Sequence, residues 1–303
     1  MSRSFDAVVI GGGPSGSAVA TALALQGWRV TLVERAEFPR RKVCGEFVSA
    51  TSIPVLDRLG LGAAWRAEAG PEVRRLALYA GERIVEAPMP ATREPAGFGR
   101  ALGRDRLDDM MLARARAAGV AVRQPARATG FRRSSEGGIV EIAAGEGETE
   151  EVEAPVVIAA HGSWEPGPLP SHLPKRHEPT DFLGFKAHLQ RAGLPADLMP
   201  LLRFPGGYGG LVNCDGGRLS LSLCIRRDAL EAIRVPGRSA AEAVQAHLLA
   251  TNRGVRQVLE GAALDGAWLA SGPIRPGLRA EARDGLLRVG NAAGESHPAV
   301  AEG

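Results

Sequence analysis

The sequence has little cysteine and no apolar run near the roughly 18 residues that a membrane-spanning helix needs. Its three cysteines, Cys44, Cys214 and Cys224, are an odd set without ligand spacing, which argues against a disulfide framework and a zinc site. The first apolar strand begins near residue 6 and leaves no room for a signal peptide. We therefore expect a cytoplasmic protein without an integral membrane segment or a metal.

A strong charge imbalance is also lacking. The 37 basic and 34 acidic residues give a formal charge of +3 and are scattered along the chain, which gives no reason to expect nucleic acid as a partner. No fixed-period repeat or low-complexity tract occurs. A length of 303 residues suggests about two domains or one large one, so we expect an enzyme with a small-molecule partner; the oligomeric state stays open.

The N-terminal residues carry a dinucleotide-binding pattern built around "GGGPSG" at 11–16. An apolar strand, Ala7 to Ile10, precedes these glycines, and a helical segment, Ser17 to Gln26, follows them. A second strand runs from Arg29 to Val33 and ends at Glu34, about twenty residues beyond the first glycine. This order of strand, glycine turn, helix, strand and acid is the full fingerprint.

Each residue of the fingerprint has a physical task. Gly11 allows the tight turn, Gly13 lets the backbone approach a pyrophosphate, and Gly16 lets the helix lie close to the strand. The pyrophosphate then binds unpaired N–H groups at the helix N-terminus. Glu34 can accept hydrogen bonds from both ribose hydroxyls and would repel a 2′-phosphate.

Four further segments resemble FAD-dependent oxidoreductases of the geranylgeranyl-reductase, flavin-monooxygenase and flavin-halogenase group, with a p-hydroxybenzoate-hydroxylase-like fold. "GRDRLDDMML" resembles the R-x-x-L-D motif, "VVIAAHGSWE" the strand that usually reads "VIGADG", and "LLRVGNAAGESHPAVAEG" the "GDAAG…P…G" segment. The fourth segment resembles "PR-K-CGE" through Pro39, Arg40, Lys42, Cys44, Gly45 and Glu46.

The resemblance implies FAD as the cofactor, with NAD(P)H as a transient reductant because no second glycine fingerprint follows a strand. Arg104 is expected to reach the cofactor, while Leu107 and Asp108 dock its helix. His161 and Asn291 stand where the family commonly has Asp; we interpret His161 as a structural turn residue. The cofactor-binding residues that we expect are Gly11, Gly13, Pro14, Ser15, Gly16, Glu34, Arg35, Lys42, Cys44, Gly45, Arg104, Gly290 and Asn291.

The expected fold class is α/β, with a Rossmann-like FAD-binding domain of the glutathione-reductase type interleaved with an α+β substrate domain on a broad, mostly antiparallel sheet. The FAD-binding domain takes 1–70, 99–165 and 278–303, the substrate domain 71–98 and 175–277, and a linker 166–174. Ser239 to Leu259 has the apolar spacing of a helix packed on that sheet. The family's C-terminal helix is missing, so we expect the native protein to extend beyond Gly303.

Candidate catalytic residues lie where motif loops follow strands. His297 is the first candidate because a histidine can exchange protons at neutral pH and the motif register places it beside the flavin. Glu46 and Cys44 are further candidates, although Glu46 suits backbone N–H groups and Cys44 suits a small buried position. Tyr208 and Pro298 are expected in the substrate pocket.

Three functions remain open. The favoured one is an NAD(P)H-driven monooxygenase that hydroxylates an aromatic or polyketide-like, hydrophobic small molecule. The alternatives are an alkene reductase of the geranylgeranyl type and a truncated flavin-binding protein without activity. Halogenation ranks lower because the "W-x-W-x-I-P" segment of that branch is absent.

Overall fold

A computed structural model describes residues 5–90, 97–143, 145, 149–163, 167–172, 177–279 and 285–297. Its strands, numbered along the chain, are β1 (Ala7–Ile10), β2 (Val30–Val33), β3 (Phe47–Val48), β4 (Arg75–Ala80), β5 (Arg83–Pro88), β6 (Arg100–Ala101), β7 (Ala121–Arg123), β8 (Arg127–Ser134), β9 (Gly137–Ala143), β10 (Thr149–Ala154), β11 (Val156–Ala159), β12 (Phe182–Gln190), β13 (Leu198–Phe204), β14 (Gly207–Asn213), β15 (Leu219–Arg226), β16 (Ala263–Leu264), β17 (Leu269–Ile274), β18 (Gly277–Leu278), β19 (Leu287–Arg288) and β20 (Gly294–Glu295). The α-helices are α1 (Pro14–Leu25), α2 (Ile53–Arg58), α3 (Gly62–Glu68), α4 (Arg104–Ala117), α5 (Arg227–Ile233), α6 (Ala240–Thr251) and α7 (Arg253–Leu259).

A five-stranded parallel sheet has the strand order β19-β11-β1-β2-β7. Strand β1 lies between β11 and β2, is fully apolar and is buried on both faces, as expected for a central parallel strand. Its side chains alternate between two cores. Ala7 and Val9 pack with helices α1 and α4, while Val8 and Ile10 pack toward the antiparallel sheet β10-β9-β8.

The largest sheet has eight strands in the order β16-β12-β15-β14-β13-β4-β5, and β17 also pairs with β12. Its pairs are antiparallel except for β13 with β4. One face carries the main core, where Phe185 and Leu221 belong to the same buried cluster as Val244 and Leu248 of α6. The opposite face, on which Lys186 lies, is called the site face.

The mixed α/β architecture that the sequence predicts is confirmed, with parallel and antiparallel sheets. Strands from 71–98 and from 175–277 share the eight-stranded sheet. The glutathione-reductase type and the domain boundaries stay predictions. Residues 166, 173 and 174 of the expected linker, and 298–303 with Pro298, lie outside the described residues. Among the described helices, none combines the length and apolar character that crossing a bilayer requires.

The stretch from Ser239 to Leu259 is helical and packs on the sheet as its spacing predicts, but it forms two helices separated at Asn252 and not one. Asn252 has extended backbone angles and is fully buried. Its Oδ1 accepts a hydrogen bond from Val255 N at 3.1 Å and so caps α7. Its Nδ2 donates to the carbonyls of Tyr79 at 2.9 Å and Arg203 at 3.3 Å, which ties the helix break to the eight-stranded sheet.

Replacing Asn252 with Ala should therefore destabilise the fold by about 2 to 3 kcal/mol, through a lost helix cap and two lost buried hydrogen bonds. Ser239→Ala is the matched control, since Ser239 caps α6 through an exposed capping box and should cost about 1 kcal/mol. Urea unfolding of the two variants measures the difference. Equal losses would show that the sheet contacts of Asn252 contribute nothing.

Candidate cofactor and substrate site

The glycine turn after β1 is as tight as its sequence predicts. Gly11 has a φ of 110°, and a Cβ there would lie 2.6 Å from the carbonyl oxygen of Ala160 on the neighbouring strand connection. A Cβ on Gly16 would overlap the carbonyl oxygen of Gly11. Any larger residue at either position would push α1 away from the parallel sheet.

Helix α1 presents its N-terminus beside this turn. Gly13 is the N-cap residue, Pro14 occupies the first turn, and no side chain of the described residues caps the helix. A Cβ on Gly13 would find only Arg104 Nη2, at 4.0 Å. The first N–H groups are thus left for an anionic group, as the fingerprint requires.

Glu34 follows β2 and is buried next to the glycine turn. Its Oε2 accepts a hydrogen bond from Gly12 N at 2.7 Å, and its Oε1 accepts one from Ala36 N at 2.8 Å. A carboxylate has about four acceptor sites, so two stay available for ribose hydroxyls. Glu34 therefore also holds the turn in place, a role that the motif alone does not reveal.

The segment "GNAAG" meets the same helix N-terminus. Gly290 has a φ of 58°, and a Cβ on it would overlap Ser15 Oγ and lie 2.7 Å from Ser15 Cβ. Two segments predicted separately to bind the cofactor, some 275 residues apart, are thus in contact. Asn291 is exposed, and its Nδ2 lies 3.4 Å from Glu295 Oε1.

Arg104 opens helix α4 and points toward the glycine turn. Its Nε and Nη2 donate to the two carboxylate oxygens of the fully buried Asp108 at 2.6 and 2.9 Å. Burial alone would lower the pKa of the Arg104 guanidinium, but Cys44 and Asp108 raise it. Cys44 therefore lies beside the guanidinium, and Asp108 fixes the orientation of Arg104.

Two more cations surround this position. Arg40 Nη2 lies 3.8 Å from Asp108 Oδ2 and 3.9 Å from Glu34 Oε2. The pKa of Lys42 is lowered, first by lost hydration among its neighbours and then by Arg104 and Arg40, although Lys42 keeps exposed surface. Arg35 and Gly45, also expected at the cofactor, are exposed.

Glu46 directly follows Gly45, is buried and faces the eight-stranded sheet. Its Oε1 accepts from Arg104 N at 2.8 Å and forms an ion pair with Lys186 Nζ, while its Oε2 is 2.7 Å from His188 Nε2. Burial would raise the pKa of Glu46, but His188 and Lys186 lower it to about 2. The carboxylate is therefore ionised and fully engaged.

Glu46, His188 and Cys214 bring three potential metal ligands within 4.8 Å of one another. The Lys186 ammonium already neutralises the Glu46 carboxylate, and burial raises the pKa of the Cys214 thiol to about 12. A metal ion needs the deprotonated thiolate and would be repelled by the ammonium. This cluster does not fit a metal.

An aromatic cluster lies further along the site face. The rings of Tyr208 and His297 stack with centroids 5.5 Å apart, and Tyr208 Oη is 3.5 Å from His297 Nδ1. Phe182 meets both rings edge-on. Burial and Cys224 raise the pKa of Tyr208, which stays a neutral hydroxyl. The structure thus brings together the predicted catalytic His297 and the predicted pocket residue Tyr208.

His161 fits the structural interpretation of the sequence. Its Nε2 is 2.7 Å from Ser171 Oγ, and its ring centroid is 4.6 Å from that of His172. Burial and His172 lower the pKa of His161 to about 4, so the imidazole is neutral at neutral pH.

Sequence reasoning missed Lys186, His188 and Ser222. From the site face these three residues contact residues 39–46, the segment that resembles "PR-K-CGE" and is called the cofactor segment below. Ser222 Oγ donates to the carbonyl oxygen of Cys44 at 2.8 Å. A signal exists in "FLGFKAHL", where a lysine and a histidine two positions apart interrupt an otherwise apolar strand and must share one face.

The chain belongs to the FAD binding domain family, whose sequence profile matches residues 4–168. It is 33% identical over 167 residues to a menaquinone reductase of Mycobacterium tuberculosis (strain CDC 1551 / Oshkosh), covering 54% of this chain and 39% of that protein. The chain thus spans about two fifths of the length of the curated relatives that head the comparison.

Two further similarities cover nearly the whole chain. Digeranylgeranylglycerophospholipid reductase 2 of Methanopyrus kandleri is 29% identical over 312 residues, covering 99% of this chain and 73% of that protein. The structure of the myxobacterial chondrochloren halogenase superposes with a TM-score of 0.85 at 23% identity, covering 99% of this chain and 71% of that one. The second similarity shows the fold alone.

The residues around the N-terminus of α1 fit FAD. An uncapped helix N-terminus and the cations Arg40, Lys42 and Arg104 suit a pyrophosphate, and Glu34 retains acceptor sites for a ribose. Gly290 brings the last motif against Ser15 at the same helix N-terminus.

Glu34→Lys should weaken FAD binding by about 1 to 3 kcal/mol, because it removes acceptors for the ribose and for Gly12 N–H. Glu34→Gln should weaken it less, since the amide oxygen can still accept one of these bonds. Fluorescence titration of apoprotein with FAD gives the dissociation constants. Glu37→Lys, an exposed charge reversal three residues away, is the control; unchanged FAD retention in Glu34→Lys would refute the role of Glu34.

Proposed function

We propose that this protein is an NAD(P)H-driven, FAD-dependent monooxygenase that hydroxylates an aromatic or polyketide-like, hydrophobic small molecule. The observation that carries the proposal is the cluster of Phe182, Tyr208 and His297 on the site face. It adjoins the cofactor segment, because a Cβ on Gly184, two residues from Phe182, would lie 3.1 Å from Val43 Cγ1. Aromatic rings in these orientations suit a flat substrate ring.

The bound cofactor would supply the redox chemistry by accepting electrons from NAD(P)H and activating molecular oxygen. The chain's own residues orient the substrate. The raised pKa of Tyr208 keeps its hydroxyl protonated, so it can donate a hydrogen bond to a substrate oxygen. His297, 3.5 Å from that hydroxyl, can exchange a proton with the substrate.

The site face also supports a hydrophobic substrate. Leu201, Leu78 and Val85 are paired directly across β13, β4 and β5 and are 38%, 46% and 59% exposed. Gly210, two residues from Tyr208, pairs with Leu201 and so lies on the same face. This apolar row is level with Gly210 and Ser222, runs to the sheet edge at β5 and suits an apolar substituent.

Reduction of an alkene is the second candidate. The reductase of Methanopyrus kandleri matches 99% of this chain, and the protonated Tyr208 hydroxyl is a suitable proton donor to the alkene carbon next to the one that accepts hydride. Hydroxylation and alkene reduction differ in their need for oxygen, which gives a direct test.

The purified protein should hold a yellow flavin and, with a suitable phenolic or polyketide-like substrate, consume one O₂ per NAD(P)H and per hydroxylated product. The measurement compares NADH and NADPH oxidation with and without oxygen alongside product analysis. Turnover of an alkene under anaerobic conditions would favour the reductase instead. Bound FAD without turnover of either substrate class would favour the inactive flavin-binding alternative.

His297→Ala should lower turnover about 10²- to 10⁴-fold and leave bound FAD largely intact, since a proton-transferring group contributes that much. The control is His247→Ala on α6, whose ring bonds the carbonyl of Pro205 on the other side of the sheet. Flavin content is read from absorbance and turnover from steady-state kinetics. Parallel loss of flavin and activity would identify His297 as structural.

A further inference from the structure

A buried group of charges joins the cofactor segment to the eight-stranded sheet. Lys186 and His188 both project from the site face of β12, two residues apart, and both contact the Glu46 carboxylate. The side chains of Lys186 and Glu46 are each 1% exposed. A buried ion pair loses much hydration energy on folding, so its net stabilisation of the fold is small.

Glu46 holds an unusual backbone conformation at this point. Its φ is 65°, in the left-handed region that residues other than glycine seldom adopt. Such a conformation costs about 1 to 3 kcal/mol and persists where the surroundings dictate it. In this conformation the Glu46 side chain contacts Lys186 and His188 of the sheet, while Cys44, two residues earlier, interacts with Arg104.

Three contacts then connect Glu46, strand β15 and the turn after β14 to residues predicted to line this cleft. Glu46 Oε1 accepts from Arg104 N, at the first residue of α4. Ser222 Oγ donates to the Cys44 carbonyl at 2.8 Å. Asp215 Oδ1 accepts from Gly103 N at 2.7 Å, one residue before Arg104. Hydrogen bonds with these three residues therefore hold both the Cys44–Gly45 segment and the start of α4.

We propose that Lys186 and His188 are positioning residues, which act through Glu46 to place the Cys44–Gly45 segment and Arg104 for FAD. This inference rests on the proposed FAD binding. It implies an energetic coupling, through the Glu46 carboxylate, between the cofactor cleft and the sheet that is predicted to hold the substrate. Removal of Lys186 leaves the Glu46 carboxylate buried without its ammonium partner. The segment would then move to expose the carboxylate, or the carboxylate would take up a proton.

The test is a double-mutant cycle on Lys186 and Glu46, with FAD affinity and the reduction potential of bound FAD as readouts. Lys186→Met should weaken FAD about tenfold, within the 5- to 150-fold range of typical site-to-site coupling. It should also lower the reduction potential, because a displaced Arg104 guanidinium would stabilise the negative charge of reduced flavin less well. Lys186→Arg should restore most of both properties.

The double variant Glu46→Gln with Lys186→Met should bind FAD more tightly than Lys186→Met alone, since it removes the uncompensated carboxylate. Arg132→Met is the matched control. It removes a cation from an ion pair with Glu151 in which both side chains are about half exposed, and it should change neither readout.

Unchanged FAD affinity and potential in Lys186→Met would overturn the inference and leave FAD binding in place. Wild-type protein that binds no FAD would instead refute the proposed function. If Lys186→Met does not fold, His188→Leu and His188→Gln repeat the test, because only Gln keeps a donor for Glu46 Oε2. If His188→Leu binds FAD more weakly than His188→Gln does, the positioning role of His188 is supported. Equal FAD affinity of the two variants would overturn it.

Discussion

The site depends on one steric constraint, the close approach of α1 to the end of β1. Gly16 rests against the carbonyl oxygen of Gly11, where no Cβ fits. This contact sets the helix N-terminus at the carboxyl ends of β1 and β2, beside Glu34. Gly290 then reaches Ser15 only because it also lacks a Cβ. The geometry of the cofactor cleft therefore follows from Gly11, Gly16 and Gly290, three positions at which a side chain is excluded.

The eight-stranded sheet divides its two faces between stability and function. Alternate residues of β12 and β15 enter the main core, as Phe185, Leu221 and Leu223 do. The residues between them, among which are Lys186 and Ser222, turn to the cofactor segment. A one-residue slip in register would exchange the faces and bury the charges in the apolar core, so the same alternation that builds the core also specifies the site.

Much of this arrangement could be predicted from local sequence. The glycine turn, β1, β2 and the hairpin of β4 and β5 follow from patterns within a few residues. The break at Asn252 could not be predicted, because the apolar period continues through it and its causes are the carbonyls of Tyr79 and Arg203, distant in sequence. For Lys186 and His188 the local sequence signals a polar pair on one face of an apolar strand, but it does not reveal their partner, because Glu46 lies about 140 residues away.

The charges around the cleft show why FAD suits it better than a neutral ligand. Asp108 occupies two of the donors of Arg104 and offsets its charge, so Arg104 acts there chiefly as an oriented hydrogen-bond donor. Lys42 differs, because lost hydration and then the neighbouring Arg104 and Arg40 lower its pKa. A bound anion would stabilise the charged form of Lys42 beside Arg40 and Arg104. A pyrophosphate would supply this negative charge next to the N-terminus of α1. An anionic group would thus favour both the charged form of Lys42 and the uncapped N-terminus of α1.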